Sequence, residues 1–134
     1  MNLVEITELG IPRINWPNES GTYKVVQLDM EGQPYLRFAD RIGDDPLHTK
    51  ILESLFSDLD RDYPFTEVGD LYKSVAPALE SDWYKVHGMG KADVNLEKRE
   101  ATFKGISYDY NIEISESHLN SLKPYAPEWK FVKQ

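Results

Sequence analysis

The sequence predicts an α+β fold, in which helices pack on one mostly antiparallel, six-stranded sheet. Three observations lead to this class. Alternating apolar residues mark strands over most of the chain, and the segments that show helical periodicity lie between those strands. The 134 residues suffice for one modest core. No repeat or linker divides residues 1–134, so we expect a single domain with the order β-β-β-α-(α)-β-β-α-β.

The first third of the chain is predicted to form an edge strand and a hairpin. Prolines interrupt GIPRINWPNESG, residues 10–21, which favours an edge strand followed by a loop. Apolar residues 25–28 then lead into a turn at Glu31-Gly32-Gln33, and residues 35–38 lead out of it. This pattern is typical of a β-hairpin.

The segment RIGDDPLHTKILESLF, residues 41–56, predicts the first helix. Its apolar residues share one helical face, namely Leu47, Ile51, Leu52, Leu55 and Leu59. Asp45 is a suitable N-cap and Pro46 suits the first helical position. On this interpretation His48 is the third helical residue, and the helix ends before Pro64.

The second half is predicted to begin with a short helix and to end in strands and a second helix. Between residues 64 and 82 the helical spacing is carried by Val68, Leu71, Tyr72 and Val75. Two strands then flank NLEKRE, residues 95–100. SESHLNSLKPY, residues 115–125, predicts the second helix, and EWKFVK, residues 128–133, a closing strand.

Charge and composition restrict the possible partners. With 15 basic and 23 acidic residues the net charge is −8, which argues against bulk binding to nucleic acid or to an anionic membrane. The chain has no cysteine, so disulfides and thiolate chemistry are excluded. No apolar run approaches the roughly 18 residues of a transmembrane helix, and no signal-peptide pattern is present, which predicts a cytoplasmic protein.

His48 is the first candidate for chemistry. Unpaired N–H groups at a helix start bind anions, and a histidine there can accept a proton from water. Asp45 offers a different interpretation, because its side chain can satisfy the same N–H groups, and Asp44 would repel an anion. From this segment alone both interpretations stay open.

Other conspicuous residues have simpler explanations. The segment HGMGKAD, residues 87–93, permits close approach of a ligand, but glycines in a strand more often mark a bulge or tight packing. His87 and His118 lack partners at metal-ligand spacing, so we expect no metal and no cofactor. Six aromatic residues are predicted to lie in the core, namely Tyr35, Phe38, Tyr84, Phe103, Tyr108 and Tyr110.

The order of these segments resembles the janus/ocnus family, whose best-known members are protein histidine phosphatases. The likeness covers nearly the whole chain and is closest in two places. One is IPRINWPNESGTYKVV near the start, and the other is FKGISYDYN with ISESHLNSLKPYAPEWKF in the last 45 or so residues. The resemblance implies a janus/ocnus-type fold and hydrolysis of phosphohistidine on proteins. It also implies that no metal and no covalent phosphoenzyme take part.

The resemblance also implies roles for individual residues. His48 corresponds to the family's general base. The phosphate-binding residues would be Lys24, Arg37 (or, less well, Arg41), Lys91 and Ser107, together with backbone N–H groups around Leu47, Thr49 and Asp109. The implied ligands are a phosphorylated protein and inorganic phosphate or sulfate, and a monomer is expected.

Three departures from the family pattern keep alternatives open. Lys91 stands where an arginine is usual, Asp109 stands where a small neutral residue is usual, and residues 64–82 look like a helical insertion. Lysine and arginine are not interchangeable, and a carboxylate in a phosphate loop repels the substrate. The first alternative is therefore a non-catalytic, acidic binding or regulatory protein on the same fold. The second is an acidic mimic of nucleic acid.

Overall fold

Five strands form the central sheet. The computed structural model describes residues 6–69, 71 and 73–134. Across the sheet the order is β2 (Gln33–Phe38), β1 (Gly21–Met30), β5 (Tyr84–Asn95), β6 (Glu100–Lys104) and β9 (Lys130–Lys133). All neighbours are antiparallel except β6 and β9, which are parallel. The predicted α+β class with a mostly antiparallel sheet is confirmed, with five strands rather than six.

The predicted first edge strand is wrong. The backbone pairing of residues 11–14 with β2 is an isolated bridge between Ile14 and Leu36, with the Leu36 N–H donating to the Arg13 carbonyl over 3.0 Å. Pro12 and Pro17 flank this contact. Because proline has no N–H to donate, the ladder does not extend in either direction.

The predicted hairpin is confirmed as β1 and β2. Val25 lies opposite Phe38, and Leu28 lies opposite Tyr35. Both turn residues have positive φ, 51° at Glu31 and 74° at Gly32. Positive φ at both central positions is what a two-residue turn needs to match the twist of the strands.

Two helices cover opposite faces of the sheet, and each has its own apolar cluster. Alternate residues of β1 separate the faces, so that Val26 and Leu28 pack toward α1 (His48–Asp58) and Val25 packs toward α2 (Glu116–Leu122). Leu52, Leu55 and Phe56 of α1 are fully buried. Truncating such a leucine to alanine costs about 2–5 kcal/mol, so α1 is firmly held.

The helix α1 begins later than its sequence predicts. Leu47 is the N-cap, with φ −64° and ψ 155°, and no side chain caps the helix. The prediction that Asp45 caps the helix is therefore wrong, and His48 is the first helical residue rather than the third. The physical reason is that the preceding segment is attached to the sheet: the Gly43 N–H donates to the Thr22 carbonyl over 2.8 Å.

The predicted helix between residues 64 and 82 is also wrong. The segment forms an antiparallel hairpin of β3 (Phe65–Val68) and β4 (Ser74–Pro77). Val68 and Val75 are spaced like residues on one helical face, but Val68 is buried whereas Val75 is 67% exposed. Gly69, with φ 92°, starts the turn that separates the strands. Tyr72 lies outside the described residues.

The last third follows the prediction closely. β5 and β6 pair around residues 96–99, and α2 begins after Ser115, whose Oγ accepts the His118 N–H over 3.2 Å. A short pair, β7 (Ile106–Ser107) and β8 (Ile112–Glu113), joins β6 to α2. A 3-10 turn, Lys123–Tyr125, follows α2, and β9 closes the sheet.

Five of the six aromatic residues predicted for the core are buried. The exception is Tyr108, which is 85% exposed, because it lies in the turn between β7 and β8. Among the described residues, no helix has both the length and the apolar character needed to span a bilayer.

Candidate functional site

His48 lies at the start of α1 with its ring against β5. The residue is 6% exposed, and its Nε2 atom lies 2.9 Å from the Gly90 carbonyl oxygen. A carbonyl only accepts, so Nε2 carries the hydrogen and donates it. In the neutral ring Nδ1 is then the free acceptor, and it has no hydrogen-bond partner in the described part of the chain. The fold therefore fixes one tautomer of His48.

The surroundings of His48 favour the neutral ring. Burial lowers the pKa of His48 below its usual value, and the positive charges of Lys24 and Lys91 lower it further. The Gly90 carbonyl and the Asp109 carboxylate act in the opposite direction. Because the pKa is lowered overall, the ring is uncharged at neutral pH and its Nδ1 can accept a proton.

Lys24 and Lys91 face each other beside His48. They are direct partners in the antiparallel pairing of β1 and β5. Each lies two residues from a residue of the α1-side apolar cluster, Val26 and Met89 respectively, so both side chains are on the α1 face of the sheet. Lys24 forms no ion pair with any described residue, whereas Lys91 pairs with Asp44. The structure thus brings the two lysines together on the face that α1 covers, and their role in binding phosphate stays a prediction.

The N-terminus of α1 supplies backbone donors at the same place. The Leu47 carbonyl accepts from the Lys50 and Ile51 N–H groups, over 2.9 and 3.1 Å. The N–H groups of His48 and Thr49 lie in the first turn, where the helix has no earlier carbonyl to accept their hydrogen bonds. Since no side chain caps the helix, its N-terminus next to His48 has the donors and the dipole that suit an anion.

The turn between β7 and β8 lies near the same end of α1. Ser107 is 2% exposed, and its Oγ lies 3.5 Å from the Tyr110 nitrogen. Asp109 is exposed, and its charge acts on His48. The Asp109 carbonyl accepts the Gly69 N–H over 3.2 Å, which joins this turn to the β3–β4 hairpin. The turn therefore places Asp109 within electrostatic reach of His48 as a negative charge.

Arg37 does not join this cluster. It lies on β2 with its Nη2 atom 3.4 Å from Asp58, the last residue of α1, and burial lowers its pKa. His48 is at the opposite end of the 11-residue helix, about 15 Å away at 1.5 Å per residue. Arg37 and Arg41 line an outer cleft of about 470 Å³, which runs along α1 and extends to Leu47. That Arg37 contacts the same anion as His48 stays a prediction.

The glycine-rich strand is explained by close packing. A Cβ atom on Gly88 would lie 2.7 Å from the Ser115 nitrogen and 2.8 Å from the Glu113 carbonyl oxygen. A Cβ on Gly90 would lie 2.5 Å from the Lys104 carbonyl oxygen. The chain that leads to α2 crosses β5 at these glycines, so the packing interpretation of HGMGKAD is favoured over the ligand interpretation. Of the two glycines, only Gly90 contributes to the site, through its carbonyl.

A second polar cluster lies on the α2 face of the sheet. Asp29 accepts from His87 Nε2 over 3.0 Å through one oxygen and from His118 Nε2 over 3.1 Å through the other. The two imidazole rings stack with centroids 4.9 Å apart. Gln27 lies 3.5 Å from His118 Nδ1 and also donates to the Ser115 carbonyl. Within the described ranges, no three or more His, Asp or Glu side chains are arranged to hold a metal ion.

Sequence reasoning missed two contacts of the His48 site. The carbonyl of Gly90 carries no side-chain signature, and the pairing of Asp44 with Lys91 joins residues 47 positions apart. The cluster of Asp29, His87 and His118 was missed for the same reason, since its members come from three separate segments.

No protein-family model matches the chain, and no curated protein is significantly similar to it. The resemblance to the janus/ocnus family therefore stays a prediction from the sequence. The function is accordingly argued from the chemistry of the His48 cluster, which combines a proton acceptor, two cations and unpaired backbone donors.

Proposed function

We propose that the protein hydrolyses phosphohistidine on proteins, with His48 as the general base that activates water. The observation that carries this proposal is the hydrogen bond from His48 Nε2 to the Gly90 carbonyl. It holds the ring in the tautomer whose Nδ1 accepts a proton. A histidine held in this way beside two lysines is suited to hydrolysis of an anionic substrate.

The reaction needs one proton acceptor and one leaving nitrogen. The oxygen of a water molecule attacks phosphorus in line with the P–N bond, and His48 Nδ1 takes a proton from that water. The new P–O bond forms as the P–N bond breaks. The substrate's imidazole nitrogen leaves with the bonding electron pair and takes up a proton from solvent, and His48 releases its proton to solvent. The products are inorganic phosphate and histidine, and no phosphoenzyme forms.

Charge on the transferred phosphoryl group needs stabilisation in the transition state. Lys24 and Lys91 supply two cations, and the N–H groups of His48 and Thr49 point out of the α1 terminus. We assign further backbone donors to the turn that contains Ser107. Positioned cations and amides account for most of the catalysis in phosphoryl transfer, so this set is adequate without a cofactor.

The proposed test compares the wild-type protein with His48→Asn. The substrate is a protein phosphorylated on histidine, and release of inorganic phosphate is measured in the presence of a chelator. We expect the wild type to turn over and the variant to lose at least about 100-fold in rate, because a general base contributes about 10²- to 10⁴-fold. A circular dichroism spectrum of the variant controls for folding. Equal rates for the two proteins would reject the proposal.

A non-catalytic phosphate-recognition module is the second candidate. It is favoured by the two carboxylates near the site, Asp44 against Lys91 and Asp109 within electrostatic reach of His48, and by the position of Arg37 at the far end of α1. These features weaken the stabilisation of a transition state more than they weaken simple recognition. Phosphate binding at His48 without any hydrolysis would support this candidate.

The mimicry of nucleic acid has less support. Such a mimic needs unpaired carboxylates that cluster on one face. Instead, acidic side chains pair with basic ones on elements throughout the fold, as in Glu31–Arg61, Asp58–Arg37, Asp93–Lys104 and Glu128–Arg99.

A further inference from the structure

The carboxylate of Asp44 lies where the proposed site needs positive charge. Its Oδ1 atom is 2.5 Å from Lys91 Nζ, although the Asp44 side chain is 79% exposed. The ion pair with Lys91, and next the charge of Lys24, lowers the pKa of Asp44. Asp44 is therefore ionised at neutral pH and interacts with both lysines that face each other beside His48.

The backbone next to Asp44 is held in place by the sheet. Gly43 forms a parallel bridge with Tyr23, and its N–H donates to the Thr22 carbonyl over 2.8 Å. Both contacts are on β1, immediately before Lys24. The position of the carboxylate thus follows from the fold of residues 43–47 rather than from a freely moving chain. Only the side chain must rotate for Lys91 to be released.

We propose that Asp44 is an internal competitor for anions, which lowers the affinity of the His48 site for small phosphates. This inference rests on the proposed function, because it takes Lys24 and Lys91 as the cations that bind the phosphoryl group. A carboxylate and a phosphoryl group use the same ammonium hydrogens, so one displaces the other. Asp44 sets the affinity of the site and takes no part in the bond changes.

Asp44 competes with free and with protein-bound phosphoryl groups alike. Inorganic phosphate gains contacts only at the site itself, and it must displace Asp44 to gain Lys91. A phosphohistidine within a protein brings additional contacts outside the site, which offset that displacement. Asp44 therefore keeps the binding of free phosphate weak and speeds release of the product without excluding the substrate.

The size of the effect follows from the exposure of the pair. A single exposed ion pair is weak and is screened by salt. We expect the Asp44→Asn substitution to tighten binding of inorganic phosphate about three- to tenfold at low ionic strength, with a smaller gain at high salt. For turnover, KM should fall and kcat should stay within about twofold, because Asp44 affects the occupancy of the site rather than the chemical step.

The experiment measures the dissociation constant of inorganic phosphate for three proteins by isothermal titration calorimetry. These are the wild type, Asp44→Asn and the matched control Asp45→Asn. Asp45 is the adjacent exposed carboxylate and forms no ion pair within the described residues. Tighter binding in Asp44→Asn alone is the expected result. In a Lys91→Ala background the substitution should have little effect, since the competition occurs at Lys91.

The outcomes separate this inference from the proposed function. Unchanged or weaker phosphate binding in Asp44→Asn, in a protein that still hydrolyses phosphohistidine, would overturn the inference alone. Tighter binding in Asp44→Asn without any turnover would support the inference and reject the enzyme. If neither protein binds phosphate, both the inference and the anion site fail.

Discussion

His48 and His118 are both buried histidines near the start of a helix, and both face a carbonyl of the central sheet. His118 Nε2 lies 3.2 Å from the Leu28 carbonyl and 3.1 Å from Asp29, and its Nδ1 faces Gln27. His48 has its single bond to Gly90, and its Nδ1 has no partner among the described residues. One ring is therefore satisfied on both sides, and the other keeps a free acceptor.

The electrostatic surroundings of the two rings also differ. Burial lowers the pKa of both rings, but His118 faces the carboxylate of Asp29, whereas His48 faces Lys24 and Lys91. A satisfied histidine beside a carboxylate stabilises the fold. An unsatisfied histidine beside two cations suits an anionic ligand. Because burial is similar in the two, the partners are what distinguish His118 from His48, and they are the reason for proposing a function for His48 alone.

The largest expected effect comes from the same substitution at both positions. His48→Asn should lower the hydrolysis rate at least about 100-fold and preserve most of the free energy of unfolding. His118→Asn should keep the rate per folded molecule but cost about 1–3 kcal/mol of stability, because Gln27 and Asp29 lose a buried partner. Phosphate release and urea unfolding measure the two effects. Loss of activity in folded His118→Asn would contradict the comparison.

The next prediction tests whether the α2 face of the sheet has a structural role. A Cβ on Gly88 would lie 2.2 Å from Gln27 Oε1 and 2.7 Å from the Ser115 nitrogen. Since a backbone atom must shift, Gly88→Ala should cost about 1–3 kcal/mol in urea unfolding. Lys85→Ala, an exposed site on the same strand, should stay within about 0.5 kcal/mol. If Gly88→Ala leaves the free energy of unfolding unchanged, the chain that leads to α2 packs less closely on β5 than the structure shows.

A tenfold effect is expected from the cations of the His48 region. Lys24→Ala removes the lysine that has no ion pair with a described residue, so we expect inorganic phosphate to bind about tenfold more weakly. Arg37→Ala is the matched control, because Arg37 pairs with Asp58 at the other end of α1. Its dissociation constant should change by less than about twofold. The reverse order of effects would place the anion in the outer cleft beside α1.

The smallest effect is the dependence of stability on pH. The pKa values of His48 and His118 are lowered in the folded protein, so the unfolded chain binds more protons as the pH falls. The free energy of unfolding should therefore be highest above the unfolded pKa of about 6.5 and decrease as the pH falls below it. Urea unfolding between about pH 7 and pH 5 measures this slope, which His118→Asn should reduce. A slope of opposite sign would contradict the burial of both rings.

Local sequence patterns predicted most of the fold. The β1–β2 hairpin, the β5–β6 hairpin, α2 and β9 follow from alternation, helical periodicity and turn residues. The failures occurred where the partner of a segment decides its structure. Residues 64–77 have spacings that suit a helix, but Val68 and Ala76 are buried on one face of a hairpin. Residues 44–46 resemble a helix start, yet Gly43 and Asp44 are attached to β1 and β5.

The candidate site was predictable to a similar degree. Lys24 and Lys91 were expected beside His48 from the family resemblance alone, and their pairing across β1 and β5 places both on the α1 face of the sheet. The pairing of Arg37 with Asp58 could not be predicted, because the two residues are 21 positions apart along the chain. The tautomer of His48 depends on the carbonyl of Gly90, and a backbone oxygen leaves no mark in a sequence.

The most direct test of the central claim is an NMR titration of the wild-type protein with inorganic phosphate, followed by a phosphohistidine hydrolysis assay on the same sample. We predict shifts of the His48, Thr49 and Ser107 amides and of the His48 ring, an unchanged His118 ring, and turnover of the substrate. Shifts confined to the outer cleft lined by Arg37 and Arg41, or no shift at His48, would contradict the claim that His48 is the base of an anion site.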